Sequence, residues 1–116
     1  MLAWAQSQSV DAFHLSAISI LEIRVGFLRV ARRDAKQARM LAAWLDGILN
    51  TFAGRILPVD TPVALRCAEM HVPDPRSDRD ALIAATALEH RLTVVTRNVV
   101  DFEALGVLLF NPWDAD

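Results

Sequence analysis

The sequence predicts an α/β domain with a mostly parallel sheet, and three observations carry that reading. Short apolar, β-rich segments recur along the chain: AFHL at 12–15, RILPV at 55–59, LTVVT at 92–96 and VLLF at 107–110. Longer stretches of helical periodicity separate most of them. At 116 residues with 53% apolar side chains, one domain can bury a real core. Strands joined through helices pair in parallel, with helices covering both sheet faces.

Each element has its own signal. Residues 2–8 read as the tail of a helix. After the first strand, Ile20, Ile23, Phe27 and Val30 repeat at helical spacing, and Ser19 with Glu22 matches a capping box, ending near Arg33. The longest apolar stripe, from Met40 through Trp44 and Ile48 to Phe52, places a second helix over 34–52, stopped by Gly54. Thr61-Pro62 opens a third helix, reaching about His71. VPDPRS is loop. Ser77 and Asp80 form an acidic variant of the capping box and open a fourth helix, to about His90. LTVVT reads as a buried strand, 97–105 as a turn with at most one helical turn, and Asn111-Pro112-Trp113 closes the last strand.

Composition excludes several classes. No apolar run approaches the length of a membrane span, and the start lacks the pattern of a signal peptide. A lone Cys67 forms no internal disulfide and fits a reducing compartment, so the expected location is cytoplasmic. A net charge of −2 gives no global attraction to nucleic acid. Locally, Arg24, Arg29, Arg32, Arg33, Lys36 and Arg39 form a basic run, which is either a solvated face or a phosphate-tracking rim. The three histidines match no zinc spacing, and no P-loop, Rossmann or nucleophile-elbow pattern occurs.

The acids are the chemical signal. Glu22 and Asp80 each fall just inside a predicted helix start, and Asn98 and Asp101 follow a predicted strand. In a parallel sheet such positions converge on the carboxyl edge, where open α/β folds place their sites. Clustered carboxylates need a cation, and Mg²⁺ uses few protein carboxylates while keeping waters for phosphate chemistry. The plainer alternatives are that Glu22 and Asp80 simply cap helices and that Asn98 and Asp101 serve a turn.

SAISILEIRVG, FAGRILPVD, DALIAATALEHRLTVVTRNVVDFEALGV and FNPW, in that order, resemble the PIN-domain proteins of the VapC/FitB type, toxins of bacterial toxin–antitoxin pairs. The resemblance covers nearly the whole chain as one domain, 1–116. It implies a three-layer α/β/α fold and a Mg²⁺- or Mn²⁺-dependent endoribonuclease acting on RNA, restrained by a cognate antitoxin and expected to be a homodimer. Glu22 and Asp80 match the family's metal-binding acids. Asn98 or Asp101 supplies a further polar position, and Thr96 helps place a water. The family also begins with a central strand ending in aspartate, for which this sequence has no counterpart. That departure predicts a sheet split into two pairs, a chain truncated at its start, and as an alternative an inactive module keeping only dimer or antitoxin binding.

Overall fold

The computed structural model describes residues 12–112. The expected helix at 2–8, and Trp113 of the closing segment, lie outside the described residues. In chain order the elements are β1 (Leu15–Ser16), α1 (Ala17–Ala31), α2 (Ala35–Thr51), β2 (Ile56–Leu57), α3 (Thr61–Met70), α4 (Asp78–Glu89), β3 (Val94–Val95), α5 (Val99–Glu103) and β4 (Leu109–Phe110). The described residues fall into two compact units, one of residues 14–57 and one of residues 12–13 with 58–112.

In the first of these, β1 and β2 pair in parallel, Leu15 opposite Ile56 and Ser16 opposite Leu57, and α1 packs against α2. Helix α1 starts earlier than the capping-box pattern indicates. Ser16 is its N-cap, and the Ser16 hydroxyl accepts from the Ile18 N–H at 3.0 Å. Ser19 and Glu22 therefore form no capping box, because Ser16 has already taken the capping position at the first turn. Asp34 caps α2, its carboxylate accepting from the Gln37 N–H at 3.0 Å. Gly54 follows that helix at φ +82°, a conformation that favours glycine.

In the other unit, β3 and β4 pair in parallel, Val94 opposite Leu109 and Val95 opposite Phe110. Helix α3 begins at the Thr61-Pro62 signal, N-capped by Asp60. Helix α4 lies against α3, β3 and α5, so its alanines are buried nearly all round. Ala81 and Ala85 meet Val63 and Cys67 of α3 in one core cluster. Ala84 and Ala87 join Val94, Phe102, Leu105 and Val107 in the other. Small side chains are what let a helix approach neighbours on several sides. The one hydroxyl buried within α4, that of Thr86, donates to the Leu82 carbonyl at 2.7 Å.

Two details differ from the expectation for an unbroken parallel sheet. The described strands form two separate two-stranded sheets, which is the split the departure from the family pattern predicts. LTVVT is not buried throughout: Val94 is buried against α4, but Val95, on the opposite face of β3, is 43% exposed.

Candidate active site

The α4 N-terminus is held by the loop that precedes it. His71 ends α3, and its Nδ1 accepts from the Arg76 N–H at 3.1 Å. Its Nε2 lies 3.5 Å from the Asp78 carboxylate. That pattern puts the ring proton on Nε2 and ties both ends of the 71–78 loop to one imidazole. Below it, burial and the Asp78 charge push the Cys67 thiol up from its ordinary range, which makes it a poor nucleophile. Sequence reasoning gave His71 no role; a histidine at a helix end bonding back into the following loop leaves no spacing signature.

Asp80 lies in the first turn of α4, half-buried. Ser77 is the N-cap residue, but its side chain makes no backbone capping bond. It lies near enough to the Asp80 carboxyl to favour its charged form. The capping box expected of this pair is therefore not formed, because Ser77 makes no side-chain cap bond. Burial, and next the negative charge of Asp101, push the Asp80 carboxyl above its usual range, while Ser77 pulls it partly back.

Asp101 comes from the short helix α5. Turn geometry places it: the Asn98 N–H donates to the Thr96 hydroxyl at 3.0 Å, and the Asp101 N–H donates to the Asn98 carbonyl at 3.1 Å. Thr96 and Asn98 thus shape the turn that carries Asp101, and Asn98 sits at the N-cap of α5 without a side-chain capping bond.

The sequence candidates therefore separate. Asp80 and Asp101 are brought within electrostatic reach of each other, with Thr96 and Asn98 beneath Asp101. Glu22 is exposed in the second turn of α1, in the unit of residues 14–57, rather than in a first turn. That position removes the simple capping explanation for Glu22. Among the described residues, no three acids, histidines or cysteines gather closely enough to hold a metal ion together. The pair does fit a hard cation: two oxygen donors whose mutual repulsion raises one carboxyl are relieved by positive charge, and Mg²⁺ is held by one or two carboxylates plus waters. An open cavity of about 470 Å³ beside β3, lined by Phe13, Leu92, Val95 and Phe110 among others, contains none of these acids. No helix among the described residues is long and apolar enough to cross a membrane.

Comparison with known proteins shows what the chain is similar to. A family model described as PIN domain matches residues 2–107. The chain is 39% identical to toxin FitB of Neisseria gonorrhoeae over 97% of this chain and 84% of that protein. It is 34% identical to the VapC ribonuclease Y4jK of Sinorhizobium fredii, over 98% of this chain and 84% of that one. Among solved structures, the crystal structure of FitAcB from Neisseria gonorrhoeae matches with a TM-score of 0.87 at 39% identity, covering 97% of this chain and 84% of that one.

Proposed function

Because the chain belongs to the PIN-domain family, we propose that it is the ribonuclease toxin of a toxin–antitoxin pair, with Asp80 and Asp101 holding a divalent cation. The observation that carries this is the packing of α4 against α5, which brings Asp80 and Asp101 within electrostatic reach; burial, and next the Asp101 charge, raise the Asp80 carboxyl. Mg²⁺ or Mn²⁺ suits an all-oxygen donor set. Such an ion, when bound, supplies activation of water and neutralisation of phosphodiester oxygens. The protein's own contribution is to orient those donors. Helix α4 carries Asp80 beside Ser77, and the Thr96–Asn98 turn fixes the backbone that presents Asp101. Glu22 is proposed as a further acid of the site on its match to the family motif alone.

A protein partner follows from the same relationship. One solved relative is FitAcB from Neisseria gonorrhoeae, and a second is FitAB bound to an IR36 DNA fragment. For this chain we propose an antitoxin that masks the acids until it is removed, and a homodimer as the working assembly.

One observation favours a second reading. Only two acids meet among the described residues, which suits a binding module without catalysis. Incubating the purified chain with a structured RNA and Mg²⁺ separates the two. The nuclease reading expects cleavage that EDTA abolishes and that Asp80→Asn reduces on the order of a hundredfold or more, the equivalent of losing several kcal/mol of charge stabilisation. Absence of EDTA-sensitive cleavage favours the binding module.

A further inference from the structure

Half of the twelve cationic residues, and one of the fourteen acids, fall within residues 24–39. Arg24 is occupied, its guanidinium lying 4.8 Å from the centre of the Phe27 ring. The other five (Arg29, Arg32, Arg33, Lys36 and Arg39) are exposed around the α1–α2 turn. The ion pairs among the described residues, Arg66–Glu89 and His71–Asp78, involve none of them. The one acid in the run, Asp34, has its carboxylate committed to the α2 cap.

Helix complementation explains only part of this. Arg29, Arg32 and Arg33 lie at the C-terminal end of α1, where cations oppose the helix dipole favourably. Lys36 and Arg39 lie in the opening turns of α2, at its positive end, where a cation is unfavourable and no acid stands in the first turn. The two helix ends therefore present five exposed cations against the single carboxylate of Asp34. Glu22 and Arg29 lie seven residues apart on α1, which places them on one face, about 10 Å apart along the axis. The charge begins on the flank that carries a candidate acid.

We propose that the α1–α2 turn is a phosphate-tracking surface that grips the backbone of single-stranded RNA. This rests on the nuclease reading for its choice of RNA, and not for the binding itself. The charge of the chain as a whole is slightly negative, so the attraction is local and strongly dependent on salt.

Fluorescence anisotropy of a labelled single-stranded RNA, with the full chain in EDTA between about 50 and 200 mM salt, tests it without any cleavage. Binding to one strand changes its logarithmic salt slope by roughly 0.7 for each phosphate contact. The triple variant Arg32→Gln/Arg33→Gln/Lys36→Gln is expected to flatten that slope by about 2 and to weaken binding at low salt by about tenfold or more. The charge-conserving variant Arg32→Lys/Arg33→Lys, with Lys36 kept, is expected to retain both. Absence of RNA binding by the wild type, an unchanged slope in the triple variant, or tighter binding of the same sequence as DNA would each overturn the proposal. Cleavage with Mg²⁺ is the separate arm: absence of EDTA-sensitive cleavage by the wild type sinks the nuclease reading, wild-type cleavage by Asp80→Asn sinks only the role of Asp80, and both leave the slope result standing.

Discussion

Asp80 carries more of the proposed chemistry than any other residue, and its environment makes testable demands. Burial and the Asp101 charge hold its carboxyl above the usual range. Replacing Asp101 with asparagine removes the second cause, so the Asp80 carboxyl is expected to titrate at lower pH in Asp101→Asn; carbon NMR of the side-chain carboxyl reads this directly. The same shift sets a sign for stability. A carboxyl whose pKa is raised by folding binds its proton more tightly in the native state. Its stabilising contribution is complete below the ordinary value of 3.8 and is lost as pH rises through the folded value. At neutral pH and without metal, Asp80→Asn is therefore expected to melt slightly above wild type, with the difference closing in acid. Melting curves collected in EDTA from acid to neutral pH check it.

At the scale of the element, α4 shows what a sequence reveals and what it hides. Its alanine-rich body and its start at Ser77 were legible, because serine followed by acids marks a helix entry. The use of Ser77 was not: its side chain makes no cap bond to the backbone and lies near the Asp80 carboxyl. Glu22 is the converse case. Ser19 and Glu22 fit a capping box by spacing, yet Ser16 captures the helix start one turn earlier. The end of α4 hides a further feature. The Arg91 N–H bonds to the Leu88 carbonyl and the Leu92 N–H to the Ala87 carbonyl at 2.8 Å, a Schellman closure with Arg91 at φ +57°. An arginine there is strained, so Arg91→Gly is expected to stabilise the chain by up to about 1 kcal/mol in urea unfolding. Phe102 sits buried in the α4–β3–β4 core, and Phe102→Ala is expected to cost about 3–5 kcal/mol by the same measurement.

At the scale of the whole molecule, the order of strands and helices was readable because periodicity and punctuation survive in a single sequence. Parallel pairing followed from that order, and both pairs are parallel. The two-residue lengths of the strands were not readable. LTVVT and VLLF have strand composition throughout, but each sheet holds only two strands, and pairing ends where the partner ends. The acids show the same division. Their residue types and their positions near element ends were visible in the sequence, whereas the meeting of Asp80 with Asp101 depends on α4 and α5 packing together. The central claim is that those two carboxylates form one cation site. Titration calorimetry of Mn²⁺ into the metal-free chain at neutral pH tests it most directly, using wild type, Asp80→Asn and Asp101→Asn. The account predicts a single site in wild type, weakened at least about tenfold in each variant, since each removes one of two anionic ligands. Equal Mn²⁺ affinity in all three proteins, or no binding by wild type, would contradict it.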